Sequence, residues 1–579
     1  MGRAISAAVA SRLGHEISDD GETGILHVVK ASRQRPMMGQ AVCQRSQLTM
    51  GGKFDLELAL KEAVRGHVDR IGWPYSRLET RPLRDGLLHN FYKLHHVELA
   101  DEPDSRAVLE LMGYFWVKTI LDVVYGQKLA DWFDENKIEI ECGPRFPMLS
   151  RLVKREILPD PVFVTTLEQG PASYPLLRWP LRLLKQRFIT RPLVRAAPST
   201  LWADPSQPVA VASGGLIDMH AELTATRPAL IEMSNWFSQI GDETAVKPNG
   251  LASRVMEIVE VQVAEYGLEL TKRNRDWLRV NTAKSANLVD RHAAKLETME
   301  NIPKWLWIGS SSSFWPRLLA NEVIRRGGEV AGHDHGIGSG IRAELEAHII
   351  VKNCCTEFIT LTDSQATQIQ NSYETDGFLG DRHPKAISIS QFAKKDKSEP
   401  GQNKHCASNL SAHHGNGKRV MLLPLVLAGE ITTPSPYPDD FWVVDLNRRI
   451  LSDLNDMGFD VLIKPHPEFE SGYLKSFEEE FGARVVDELF EECTDLADVF
   501  LFTRPTTSAF GWAIAQELPA ALIDFGFYRW RPGVRRQLKK NVQFIPGSLN
   551  DGKFMNYDKS KLFESLRTLT RRDPLKRNA

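Results

Sequence analysis

From Arg419 to Phe525 short apolar runs alternate with helical stretches, and nothing else in the chain constrains its fold as strongly. The runs are 419-RVMLLPLVLA-428, 460-DVLIK-464, 483-ARVVD-487, 498-DVFLFT-503 and 519-PAALIDF-525. Between them lie helical stretches at 440–458 and 472–482 and one beginning near Thr507; the first closes on Gly458, as helices often do. Short apolar strands separated by helices indicate a parallel sheet with helices on both faces. Residues 419–579 are therefore expected to form a Rossmann-like α/β domain.

The same alternation appears earlier, in 304-KWLWIGS-310, a helix from Phe314 to Arg326, 328-GEVAGHDHG-336, 349-IIVKNC-354 and 357-EFITLTD-363, with 207-QPVAVASG-214 as a further strand. This predicts a second Rossmann-like domain over 201–390, and 251–299 reads as helix. The polar, Gly/Ser/Asn/Lys-rich segment 391–418 reads as a linker. Residues 1–200 read as a mixed or helical extension in which 107-AVLELMGYFWVKTILDVVY-125 is a core helix. A chain of 579 residues exceeds what one hydrophobic core supports.

Composition narrows the function classes. Lys and Arg (72) nearly balance Asp and Glu (74), which argues against a dedicated nucleic-acid binder. The cysteines at 43, 142, 354, 355, 406 and 493 form no C-x-x-C pair, so neither a disulfide framework nor a structural zinc site is expected. No run reaches the ~18 apolar residues of a membrane span. The opening MGRAISAAVASRLG carries only a weak apolar stretch and a short myristoylation-like pattern at Gly2 and Ser6, both discounted, so a cytoplasmic protein is expected. The stretch 176-LLRWPLRLLKQRFITRPLVR-195 holds six basic residues and no acidic one. It suits either an anionic membrane surface or a basic helix packed on its own domain.

Three stretches carry candidate chemistry. In 461-VLIKPHPEF-469, Pro465 and Pro467 end the strand and mount His466, with Lys464 beside it, at the sheet edge where α/β folds bind ligands. After 498-DVFLFT-503, Arg504 and Pro505 turn the chain and Thr506, Thr507 and Ser508 start a helix. Those hydroxyls are ordinary N-caps, but a helix start beside an arginine is also a phosphate site. The two strands are expected to be neighbours, so that one phosphate is held from both sides. In 330-VAGHDHGIGSGI-341, a strand feeds His333, Asp334 and His335 into a glycine loop where a histidine can act as general base. A dinuclear metal pattern would need Asp and His where Ile337 and Gly338 stand, so no metal is expected. Neither a G-x-G-x-x-G fingerprint nor a Walker motif is present.

In this order, the H-G loop, the K-P-H-P exit and the ADVFLFT…TTS turn resemble bacterial surface-polysaccharide glycosyltransferases of the GT-B architecture. These are the capsular Kdo transferases, the polysialyltransferases and the CDP-glycerol glycerophosphotransferases. The resemblance covers roughly Trp305 to Ile545. It implies two Rossmann-like domains facing across a cleft, and a nucleotide-sugar donor, with cytidine favoured. It also implies a glycan or lipid-linked acceptor, and no cofactor. Carried over, His466, Lys464, Arg504, Thr506, Thr507 and Ser508 would bind the donor phosphate, and His335 would deprotonate the acceptor hydroxyl, with Asp334 as the alternative base. The chain departs from the glycerophosphotransferase pattern at Asp334, Ile337 and Arg504 to Ser508, which favours sugar transfer over glycerophosphate transfer. A 2-epimerase-like enzyme and a non-catalytic binding protein of the same fold remain the other readings.

Overall fold

The structure is a computed structural model. It describes residues 53–64, 80–142, 150–152, 154, 156, 158, 208–211, 215–226, 228–230, 250–300, 302–309, 314–334, 338–343, 354–372, 383–393, 418–424, 439–466, 471–550 and 554–569. The basic stretch 176–195, His335 and linker residues 394–417 lie outside them.

The chain enters through β1 (Lys53–Asp55), α1 (Leu56–Val64), α2 (Arg81–Lys93), α3 (Pro103–Glu135) and β2 (Glu139–Glu141), which pairs in parallel with β1. Helix α3 has 33 residues and is about 50 Å long at 1.5 Å per residue. Its apolar residues go all round, the pattern of a buried helix.

A six-stranded parallel sheet follows. Its elements are β3 (Val209–Ala210), α4 (Gly215–Leu223), β4 (Ala229–Leu230), α5 (Leu251–Glu265), α6 (Lys272–Thr298), β5 (Trp305–Ile308), α7 (Phe314–Arg325), β6 (Glu329–His333), the short α8 (Gly338–Ile341), β7 (Glu357–Thr360), α9 (Asp363–Ser372), β8 (Lys385–Ser388) and α10 (Ser390–Ala393). The strand order is β4-β3-β5-β6-β7-β8. Side chains alternate between faces as strand geometry requires. Leu306, Ile308 and Val330 join the core against α2, α3, α5, α6 and α7, while Trp307 and Ala331 join a smaller core beneath α4 and α10.

The second sheet comprises β9 (Arg419–Leu423), α11 (Asp439–Asp456), β10 (Asp460–Ile463), α12 (Ser471–Phe481), β11 (Arg484–Val485), β12 (Val499–Phe502), α13 (Ser508–Ala515), β13 (Ala520–Asp524), α14 (Val534–Leu538), β14 (Val542–Asn550), β15 (Phe554–Tyr557) and α15 (Lys559–Thr568). Its order is β11-β10-β9-β12-β13-β14-β15, parallel except for the β14–β15 pair. Val420, Leu422, Val499 and Leu501 enter one core and Met421, Leu423, Phe500 and Phe502 the other. Burial on both faces is why these strands read as continuous apolar runs. Gly458, at φ +77°, ends α11 in the left-handed conformation glycine tolerates.

Helix α3 belongs to both halves. Residues from Val108 to Val124 lie in the core of the first sheet, and Tyr125, Leu129 and Phe133 lie in that of the second. Arg317 of α7, itself fully buried, braces it by donating to the carbonyls of Leu111 (3.0 Å) and Glu110. A second tie is a backbone bridge between Arg342 and Trp530, with Arg531 N donating to Ile341 O (2.8 Å) and Ala343 N to Arg529 O (2.9 Å). Ile341 is thereby buried in a core of the second sheet.

Candidate functional site

Read outward from β9, the second sheet runs β10 and β11 to one side, then β12, β13 and β14 to the other. The winding reverses between β9 and β12, and the crevice above such a reversal is where doubly wound sheets hold ligands. Thr503, buried at the end of β12, fastens this crevice by donating from Oγ1 to Leu423 O (3.0 Å) at the end of β9. Arg504, Thr506, Thr507 and Ser508 follow at once.

The hydroxyls there are partly committed. Thr507 is the N-cap of α13, its Oγ1 accepting from Phe510 N at 3.1 Å. Thr506 Oγ1 accepts from Arg504 Nε at 2.8 Å, which holds the half-buried guanidinium over the turn. Ser508 is exposed at the first helical position. The capping reading of this turn thus has a geometric basis. Thr507→Ala is expected to lower stability by about 1 kcal/mol, read as a drop in the urea midpoint, with Thr507→Ser near wild type.

Lys464 and His466 leave from β10, which is not the neighbour of β12: β9 lies between them. The strand ends are level, Ile463 opposite Leu422 and Phe502 opposite Leu423. Two interstrand spacings separate the exits, about 10 Å. The expectation of adjacent strands is therefore corrected, and the two groups flank the crevice from opposite sides. The reason is topological: the chain winds outward from β9 twice, in opposite directions. Lys464 is half-buried and donates from Nζ to Pro465 O at 3.3 Å. Burial lowers its pKa, against the opposing pull of Cys493, Asp487, Glu491 and Glu488. His466 is half-buried at the end of the described segment.

In the first sheet the winding reverses between β3 and β5. Asp334, at the edge beyond β6, is buried; its backbone N donates to Ile359 O (2.9 Å) and Gln365 Nε2 donates to its Oδ2. Gln365 is itself fixed, with Oε1 accepting from Leu361 N at 3.1 Å. A Cβ on Gly340 would stand 2.5 Å from Gln365 Cγ, which explains a glycine there.

Sequence reasoning missed the most buried polar pair of this edge. His220 of α4 and His333 of β6 are joined Nδ1 to Nε2 at 2.9 Å, and His333 Nδ1 lies 3.0 Å from Ile308 O at the end of β5. Trp307 stacks on His220 at 4.2 Å and Phe392 lies 4.4 Å away. Burial pushes His220 down to about 4; burial, and then the His220 ring, push His333 down to about 3. His333 stood in the quoted H-D-H stretch, but the pairing joins residues 113 positions apart and leaves no local signal.

No family model matches the chain, and no curated protein matches it. Among the described residues no helix is long and apolar enough to cross a membrane, and no group of three or more His, Cys, Asp or Glu is placed to hold a metal ion. The described residues form an α/β protein with a six-stranded parallel sheet and a seven-stranded sheet that is parallel but for its last pair, and each sheet contains a reversal of winding.

Proposed function

We propose that the protein is a glycosyltransferase that moves a sugar from a nucleotide-sugar donor, cytidine-based in the favoured case, to a glycan or lipid-linked acceptor, its two sheets acting as the lobes of a GT-B arrangement. The observation that carries this reading is the position of Arg504, Thr506, Thr507 and Ser508: directly after β12, beside the β9–β12 reversal, at the start of a helix. Free N–H groups and the positive end of α13 favour an anion there, and Arg504 adds a fixed cation. Across β9, His466 supplies a second donor. On this reading the departing nucleotide phosphate gathers charge over the crevice as the sugar leaves, and these donors stabilise it. A base on the first sheet, His335 or Asp334, removes the proton of the acceptor hydroxyl. The hold of Gln365 on Asp334 supports the carboxylate as an oriented group. The reading places the protein in the cytoplasm, with the basic stretch 176–195 as its contact with a membrane face.

Thermal unfolding with CMP, CDP, UDP, GDP and ADP, on wild type and His466→Ala, tests it. Ligand at 100 times its Kd stabilises by about 2.7 kcal/mol. Stabilisation by cytidine nucleotides that is lost in the variant is the expected result. A UDP or GDP preference changes the donor. No shift with any nucleotide overturns the reading.

A further inference from the structure

We infer that His220 and His333 form a proton-accepting dyad at the reversal of the first sheet, in which Nε2 of His220 takes the proton of a bound acceptor hydroxyl and His333 positions it. This rests on the transferase reading and, within it, puts His220 in place of His335 or Asp334 as the group that takes the acceptor proton.

Three observations carry it. The first is the bond chain. Ile308 O can only accept, so Nδ1 of His333 carries its proton and Nε2 holds a lone pair. That lone pair accepts from Nδ1–H of His220, 2.9 Å away. The tautomer of His220 is thereby set, and its own lone pair stands on Nε2, on the far side of the ring. Fixing one imidazole nitrogen so that the other is a base is the logic of a nucleophile-activating triad, with a histidine and a carbonyl in place of the carboxylate. The second is location. His220 comes from the helix after β3, His333 ends β6, and the carbonyl ends β5. The three converge where the winding reverses between β3 and β5, the crevice at which such sheets bind ligands. The third is rigidity: the Trp307 ring lies parallel to His220, at 10°, and Phe392 packs beside it, so the ring cannot swing to another partner. The lowered values of both imidazoles keep them neutral, with the lone pair present, throughout the neutral range.

The step balances. The acceptor O–H bond breaks and an N–H bond forms on Nε2 of His220. The oxygen's electron pair forms the new bond to the anomeric carbon as the bond to the nucleotide phosphate breaks, and those electrons leave with the phosphate. His220 becomes an imidazolium whose Nδ1–H then bonds more strongly to neutral His333.

Two readouts test the dyad. Diethyl pyrocarbonate attacks neutral, accessible imidazole nitrogen, and peptide mass spectrometry locates it. His220 is expected to be modified at least tenfold faster than His333, both of whose nitrogens are engaged. Equal rates, or no modification of His220, overturn the proposal. Turnover is followed as nucleotide release from the sugar nucleotide whose base stabilises the protein. His220→Gln is expected to lower kcat by roughly 10²–10⁴-fold while keeping the nucleotide-induced thermal shift. His333→Leu is expected to lower kcat similarly, and His333→Gln, whose amide oxygen can still accept from Nδ1–H, to recover part of it. Wild-type turnover in His220→Gln overturns the proposal. A wild type that no nucleotide stabilises refutes the transferase reading instead, and the modification contrast then decides the site alone.

Discussion

Between pH 7.5 and pH 5 the wild-type protein is expected to lose several kcal/mol more stability than a His220→Gln/His333→Gln variant. Both imidazoles sit below their ordinary value of 6.5, at about 4 and about 3, so the folded state holds them neutral while the unfolded chain protonates them. Below pH 6.5 the unfolded state binds more protons, and stability falls with pH. The contribution is fully present above pH 6.5 and drains away as pH drops toward the folded-state values. By pH 5 the loss amounts to about 2 kcal/mol for each imidazole. Asp218, on the same helix, works in the other direction: burial, then Glu222, raise it, so it favours the fold as pH falls. It is present in both proteins, and the difference between their urea midpoints at the two pH values isolates the histidines. Parallel pH profiles would show that the pair carries no such linkage.

Trp116→Ala and Phe133→Ala are each expected to destabilise the protein by about 3–5 kcal/mol, and to move one and the same calorimetric transition. The two residues lie in one helix but in different cores. Trp116 is buried against the first sheet, its Nε1 donating to Ser285 Oγ at 2.9 Å, a partner the variant leaves buried and short of a bond. Phe133 is buried against the second, beside Phe54 at 5.9 Å. Because α3 is continuous through both cores, loosening either half removes a wall of the other. Two resolved transitions, each moved by only one variant, would mean that the halves are stable without each other.

Much of the sheet framework was legible because its signals are local. The buried alternation of β9 and β12, the glycine at 458 and the capping threonine at 507 each announce themselves within a few residues. The parallel character of both sheets follows from that pattern. Strand order does not, because it depends on which way each crossover packs. For that reason β10 and β12 were expected as neighbours although β9 separates them. The segment 107–125 read correctly as a core helix, but not as the shared part of two cores, since apolar residues on every side of a helix do not say what covers each side. The turn from Arg504 to Ser508, at the end of β12 and the start of α13, was legible from its residue types. Thr503 and Gln365 escaped notice because their role lies in one long-range bond each. The His220–His333 pair shows the same limit across 113 positions.

The double allegiance of α3 also sets a timetable for synthesis. Tyr125, Leu129 and Phe133 leave the ribosome well before most of the surface that covers them, which runs from Val420 to Leu566. At roughly 5–20 residues per second that wait lasts tens of seconds. During it the nascent chain carries an apolar helix end covered by Phe54, Leu56, Ala59, Ala63 and Ile140 but not yet by the second sheet, so a holding chaperone has its opportunity there and a product truncated before Val420 would leave that end part-covered.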